Sequence, residues 1–164
     1  ACDEKTPEFS AEEWKSFLAK KIGEKPGDIV DENGIVLGKH NGIYYYTIGQ
    51  RKGILLSGGP YFVIGFNVRK NQVIVSNKPI NKALYTSIIR LKNVNFVSCD
   101  LKFPCNVKAK VRYQQELSDA ILDKDKTGYF LQFKKPQRAV TNGQIAVFYK
   151  GQACLGGGTI NASK

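Results

Sequence analysis

The chain has 164 residues, of which 42% are hydrophobic, so it is long enough for one ordinary domain or two small ones. Its 25 Lys and Arg outnumber its 14 Asp and Glu, which gives a net charge of +11. The excess is local, because residues 1–50 carry a net charge of −3 and residues 51–164 a net charge of +14. A positive region of this kind favours a polyanionic partner, and a surface charged only for solubility is the alternative.

Several classes of protein are disfavoured at once. No apolar run approaches the roughly 18 residues of a membrane span, and the first residues lack the pattern of a signal peptide. The 4 cysteines form no Cys-x-x-Cys pair and the single His40 has no ligand-type neighbour at a useful spacing, so we expect no metal site. Scattered cysteines predict reduced thiols in a cytoplasmic protein.

One helix is predicted near the start of the chain. Ser10 and Glu13 have the spacing of a capping box, and an apolar stripe follows at helical spacing. Gly23 is placed to end the helix, and Pro26 prevents it from resuming. We expect the stripe, formed by Trp14, Phe17, Leu18 and Ile22, to dock on a core.

The rest of the chain predicts a mainly β fold. Residues 1–25 are a helical lead-in, residues 26–83 a small antiparallel β domain, and residues 84–164 a six-stranded antiparallel barrel. In the central domain, Asn33-Gly34 and Asn41-Gly42 are hairpin turns and the tyrosine-rich segment 43–48 has strong β-propensity. In the last part, about six short strands favour closure, which removes sheet edges.

Two local patterns suggest contact with RNA. In segment 107–113 small or apolar residues alternate with basic ones, which places Lys108, Lys110 and Arg112 on one face beside Tyr113. Basic rows position phosphates and aromatic rings stack on unpaired bases, whereas an ordinary solvent-facing strand is the alternative. Arg51 and Lys52 lie between glycines directly after a strand-like segment, as in a phosphate-binding loop.

Catalytic machinery is not evident in the sequence. Neither a Walker loop nor a Ser/His/Asp set can be assembled around the lone His40. The Gly156-Gly157-Gly158 string looks like a phosphate cradle, but no helix follows it, so we expect a strand whose glycines pack against a neighbouring backbone.

Several motifs together resemble one family. Pro26-Gly27-Asp28, Gly38-x-His40-x-Gly42 and the string Thr47 to Gly53 are similar to the central domain of tRNA-specific 2-thiouridylases. The segments 110–113, 137–149 and 154–158 resemble the C-terminal barrel of the same family. The resemblance covers residues 12–160, and the motifs occur in the order that the family has. The strings Thr47 to Gly53 and Cys154 to Gly158 are highly specific when they occur together.

The resemblance implies a parent enzyme that replaces the 2-oxygen of the wobble uridine in tRNA anticodons with sulfur. A nucleotide-binding domain, with no counterpart in this sequence, would use ATP and Mg²⁺ to adenylate that oxygen. Sulfur would come from a persulfide donor or sulfur-relay protein. By the resemblance, Arg112, Tyr113 and Gln144 match barrel positions that contact tRNA; Arg51, Lys52 and Arg138 are added from charge and loop placement. We therefore expect a tRNA-binding portion that is itself inactive and binds no cofactor.

The family's spacing places its second catalytic cysteine at position 7, which is Pro7 in this sequence. Cys2 is therefore either a displaced catalytic thiol or an ordinary thiol at a chain end. This departure leaves open whether the parent enzyme uses the two-cysteine chemistry of the family.

One alternative function is a stand-alone adaptor barrel, similar to a translation-factor domain, that binds RNA or protein. Another is a thiol enzyme built on Cys99 or Cys154, which is disfavoured because both cysteines fall in apolar strands.

Overall fold

In the computed structural model, residues 10–97 and 101–161 are described, and the chain divides into two compact units, Ala1–Pro79 and Ile80–Lys164. The predicted mainly β fold with one helix and a closed six-stranded antiparallel barrel is confirmed. No helix in the described part of the chain combines the length and apolar character needed to cross a bilayer.

Helix α1 spans Ala11–Ile22 and begins and ends as predicted. The Ser10 N–H donates to Glu13 Oε2 at 2.7 Å and the Glu13 N–H donates to Ser10 Oγ at 3.2 Å, which completes the capping box. Gly23 closes the helix at a φ of 77°. Two members of the predicted apolar stripe bury less than expected, because Phe17 is 47% exposed and Ile22 is 54% exposed; the Trp14 side chain lies outside the described part of the structure.

The first unit contains a four-stranded sheet in the order β2-β1-β4-β3. Its strands are β1 Gly27–Val30, β2 Val36–His40, β3 Phe62–Asn67 and β4 Gln72–Ser76. The sheet is mixed, since β1 pairs antiparallel with β2 but parallel with β4. Its core is formed by four fully buried side chains, Ile29, Val63, Val73 and Val75.

The predicted strand over residues 43–48 is wrong. Ile43–Tyr45 forms a short 3-10 helix, and Asn41-Gly42 therefore does not connect two paired strands. The Tyr44 hydroxyl donates to the Gly23 carbonyl at 3.1 Å, and the Tyr44 and Tyr45 rings meet edge to face. These tertiary contacts override the β-propensity of the tyrosines.

The second unit is the barrel, closed in the order β10-β5-β8-β7-β6-β9. Its core has 14 buried residues, among which Phe148, Ile89, Leu122 and Leu131 are completely buried. The strands are β5 Tyr85–Phe96, β6 Cys105–Lys110, β7 Ser118–Asp125, β8 Gly128–Arg138, β9 Ile145–Lys150 and β10 Ala153–Ile160.

The glycines of β10 are packed against the backbones of neighbouring strands. A Cβ at Gly156 would lie 2.1 Å from the Asn95 carbonyl oxygen, and one at Gly157 would lie 2.9 Å from the Ala146 carbonyl oxygen. This confirms the structural interpretation of the triple-glycine string, which is part of a strand and forms no phosphate cradle.

Candidate nucleic-acid interface

Strand β6 has a strict inside–outside alternation. Val107 and Ala109 are buried in the barrel core, as is Val111 just after the strand, whereas Lys108 and Arg112 are exposed. Because strand side chains alternate between faces, the basic residues are held on the outside of the barrel by the packing of their apolar neighbours. The predicted basic row is therefore on the outer surface.

The loop after β6 is attached to the end of β8 at two points. The Arg112 guanidinium donates to the carbonyl oxygen of Ala139, and the Gln115 amide donates to the side-chain oxygen of the buried Gln137. The Gln115 N–H also donates to the Arg112 carbonyl at 3.2 Å. These bonds fix the loop from both sides of Tyr113, which is 89% exposed.

A cleft of about 820 Å³ opens beside this loop, next to β9. Lys110, Arg112, Tyr113 and Gln144 line it together. The Lys110 ammonium lies 5.5 Å from the centroid of the Tyr113 ring and donates to the Tyr113 carbonyl at 3.2 Å. The cleft thus combines a cation, an exposed aromatic ring and the polar end of Gln144.

Gln144 is the part of the cleft with unused hydrogen-bonding capacity. Its Oε1 atom is buried and has no hydrogen-bond partner. Its backbone is fixed, because the Ile160 N–H donates to the Gln144 carbonyl at 2.7 Å. A buried acceptor without a partner is costly, so its position in a cleft favours a ligand that carries a hydrogen-bond donor.

The cleft does not include every basic residue that the sequence suggested. Lys108 lies opposite Asp119 of β7, so its field is partly cancelled, and it does not line the cleft. Arg138 ends β8, is exposed, and is also outside the lining. Arg51 and Lys52 belong to the first unit.

The loop that carries Arg51 and Lys52 is shaped by the side chain of Gln50. Its Oε1 accepts from the Thr47 N–H at 2.9 Å and its Nε2 donates to the Lys52 carbonyl at 2.9 Å. The loop is also paired with Val63 of β3 through backbone hydrogen bonds of 2.7 and 3.0 Å. Both cations are consequently presented to solvent on a fixed backbone.

The cysteines are dispersed. Cys2 and Cys99 lie outside the described residues. Cys105 is half-buried; Cys154 lies in β10 but is exposed, so the expectation that it is a small core side chain is wrong for this residue. Among the described residues, no group of three or more His, Cys, Asp or Glu is arranged to hold a metal ion.

Sequence reasoning found Arg112, Tyr113 and Gln144 but missed the residues that hold them in place. Gln115, Gln137 and Ala139 anchor the loop through hydrogen bonds between parts of the chain that are distant in sequence. The sequence gives no local signal for them, since Gln137 stands between Pro136 and Arg138 in a polar end of β8.

Comparison with known proteins divides the chain in the same way. A family model described as the tRNA methyl transferase PRC-barrel domain matches residues 15–77, and one described as the aminomethyltransferase beta-barrel domain matches residues 86–160.

Curated relatives match across both regions. A tRNA-specific 2-thiouridylase MnmA from Pseudomonas paraeruginosa is 37% identical over 92% of this chain and 42% of its own length. MnmA proteins from Oceanobacillus iheyensis and Buchnera aphidicola are 39% and 40% identical over 90% of this chain, and over 41% and 42% of their own lengths. The chain thus spans about two fifths of the relatives it matches. Over the two domains that the models describe, the chain belongs to the family of tRNA-specific 2-thiouridylases.

Proposed function

We propose that this chain is the tRNA-binding portion of an enzyme that 2-thiolates the wobble uridine of tRNA anticodons. The observation that carries the proposal is the cleft beside β6, where Lys110, Arg112, Tyr113 and the unpartnered Gln144 oxygen come together. Cations attract phosphates, an exposed ring stacks on an unpaired base, and a buried acceptor selects an N–H or O–H donor.

Charge supports the same proposal. The barrel unit, residues 80–164, carries 14 basic and 5 acidic side chains, whereas residues 1–79 carry 11 basic and 9 acidic side chains. RNA binding that depends on such an excess is driven by the release of counterions from phosphates. The barrel is therefore proposed as the main electrostatic contact.

The chemistry of sulfur transfer is proposed to lie outside these two domains. The triple-glycine string is a packed strand, and the described residues offer no cluster of metal ligands. We assign the binding of ATP and Mg²⁺, with the adenylation step, to the part of the relatives that this chain does not span. A persulfide or relay protein is proposed as the sulfur donor of the whole enzyme.

The names of the two family models refer to methyl transfer, which is a second reaction to consider. Thiolation is favoured because relatives that align with both matched regions at 37–40% identity are all named 2-thiouridylases.

The proposal is tested with Gln144→Met, which keeps the length of the side chain and removes the unpartnered oxygen. Gln152→Met is the matched control, since Gln152 is exposed in the turn after β9 and does not line the cleft. We expect Gln144→Met to weaken the binding of unmodified tRNA about two- to tenfold, the value of one hydrogen bond, without lowering the melting temperature. Equal affinities for the two variants would contradict the proposed site.

A further inference from the structure

The first unit contains a cavity of about 380 Å³ that the barrel cleft does not explain. Helix α1, the end of β2 and residues 45–55 contribute to its walls. The walls combine the rings of Tyr45 and Tyr46 with polar and charged side chains, among them Glu24, Lys39 and His40. This volume lies within the range of small-ligand sites and is far larger than the space that one water molecule needs.

His40 presents a buried acceptor at this cavity. The residue is only 2% exposed, and its Nε2 lies 3.1 Å from the Asn71 carbonyl oxygen. A carbonyl oxygen only accepts, so Nε2 carries the proton and Nδ1 presents a lone pair. Burial lowers the pKa of His40, which keeps the ring neutral. His40 Nδ1 is buried and has no hydrogen-bond partner.

Tyr45 adds a second unsatisfied group on the wall of the same cavity. Its hydroxyl oxygen is buried without a hydrogen-bond partner. Native proteins rarely leave two such groups beside one cavity, because each costs free energy unless a ligand or ordered water bonds to it. The pair therefore favours a ligand with at least one N–H or O–H donor, and the two tyrosine rings of the wall favour a planar group.

Charges of both signs line this site, Glu24 and Lys39, and two further cations lie on the loop that contributes to its wall. Gln50 and Gly53 line the cavity, and the two exposed cations Arg51 and Lys52 stand between them in sequence. The side chain of Gln50 holds this loop in shape, as described above. A ligand whose planar group enters the cavity would thus have its anionic part near a fixed pair of cations.

We propose that this cavity binds one unpaired nucleotide, with an N–H of the base donating to His40 Nδ1 and the phosphate contacting Arg51 and Lys52. The proposal extends the proposed function by a second RNA contact, because a single-stranded part of tRNA would supply the nucleotide. A free mononucleotide offers the same chemistry, and the experiment distinguishes the two sources.

The lone histidine of the sequence makes the test direct, since the imidazole ¹⁵N spectrum of the chain contains one residue. We expect the Nδ1 resonance of His40 to move on titration with a single-stranded RNA hexamer that contains all four bases. Nucleoside 5′-monophosphates form the second arm. A response to the hexamer alone assigns an RNA strand, a response to both assigns a nucleotide of either source, and no response to either overturns the proposal.

Two neighbouring tyrosines provide matched variants. Tyr45→Phe removes the unpartnered hydroxyl, and Tyr44→Phe removes a hydroxyl that donates to the Gly23 carbonyl and whose residue does not line the cavity. We expect Tyr45→Phe to weaken hexamer binding about two- to tenfold while the melting temperature is unchanged or raised. A lower melting temperature with unchanged affinity would mean that water satisfies this hydroxyl, and would overturn the proposal.

The same titration in a Tyr113→Ala background separates this site from the barrel cleft. We expect the movement of the His40 resonance to persist, because Tyr113 belongs to the other unit. Its loss in this background would overturn the cavity as a site of its own. If the barrel variants bind tRNA as well as the unchanged chain while the His40 resonance still responds, the proposed function is contradicted and the cavity site is not.

Discussion

Replacement of Tyr113 by alanine tests the proposed interface with little interference from folding. The ring is 89% exposed and lies outside the barrel core, so its removal uncovers almost no buried apolar surface. The loop around it remains fixed by the bonds of Arg112 and Gln115 to residues beside the end of β8. We therefore expect the melting temperature of Tyr113→Ala to remain close to that of the unchanged chain.

Binding to tRNA should respond strongly to the same change. A base stacked on an aromatic side chain contributes about 1–3 kcal/mol, which corresponds to a loss of affinity of about 5-fold to 150-fold. The Lys110 ammonium lies 5.5 Å from the ring centroid, so it orders the ring; removal of the ring ends this contact but leaves the bond of Lys110 to the Tyr113 carbonyl. Tyr113→Phe keeps the stacking face and should bind nearly as well as the unchanged chain.

The assay is fluorescence anisotropy of labelled, unmodified tRNA, together with a melting curve for each variant. Tyr85→Ala is a suitable control, because Tyr85 is a partly exposed tyrosine of the barrel, 38% exposed, that does not line the cleft. The reasoning is refuted if Tyr113→Ala and Tyr85→Ala bind tRNA equally well. It is also refuted if Tyr113→Phe loses as much affinity as Tyr113→Ala, since the ring face would then not be the contact.

Three further predictions concern charge, packing and pH. Arg112→Ala should weaken tRNA binding about tenfold or more, which is the contribution of a charge-assisted hydrogen bond. Lys124→Ala should weaken it much less, although each change removes one positive charge. Gly156→Ala should destabilise the barrel by about 2–4 kcal/mol, measured by urea unfolding, because its Cβ would meet a backbone carbonyl oxygen at 2.1 Å. Hydrogen bonds from the hydroxyl and N–H of Thr127, and to a lesser extent from Arg90, lower the pKa of Asp125 to about 2. Asp125→Asn should therefore reduce the loss of stability between about pH 4 and pH 2.

Each of these changes has a control or a contrary result. Gly151→Ala also replaces a glycine with positive φ, but nothing lies within 4 Å of its added Cβ, so it should be the milder of the two glycine changes. The sign for Asp125 follows from a folded-state pKa below the unfolded one, which contributes stability above about pH 4 that is lost on acidification. An unchanged acid-unfolding profile for Asp125→Asn would contradict that interpretation. Equal affinity losses for Arg112→Ala and Lys124→Ala would mean that only bulk charge matters.

Much of the fold could be predicted because local signals and tertiary structure agree. The capping box at Ser10 and Glu13 forms as its spacing predicts, and the alternation from Val107 to Arg112 gives a barrel strand with its basic side chains outside. Gly34 has the positive φ expected of the Asn33-Gly34 turn and lies between the paired strands β1 and β2.

The failures lie where distant residues decide the conformation. The tyrosine-rich segment 43–48 reads as a strand, but the bond from Tyr44 to Gly23 and ring packing bend it into a 3-10 turn. The parallel pairing of β1 with β4 also depends on a connection of some forty residues, 31–71, that no local motif specifies.

The candidate sites show the same division between local and distant information. Arg112, Tyr113 and Gln144 were identified by motif, but the anchoring of their loop to Gln137 and Ala139 has no counterpart in local sequence. The sequence predicts no contact for His40, whose unpartnered Nδ1 follows from the way that the Asn71 carbonyl occupies its other ring nitrogen.

The most direct test of the central claim is a titration of unmodified tRNA with this chain over a series of salt concentrations, repeated with an Arg112→Ala/Tyr113→Ala double variant. We predict a steep linear fall of log affinity with log salt for the unchanged chain, because the basic barrel displaces counterions from phosphates. The double variant should bind more weakly at every salt concentration and show a shallower slope. Affinity that does not depend on salt, or a double variant indistinguishable from the unchanged chain, would contradict the assignment of the barrel cleft as the tRNA-binding surface.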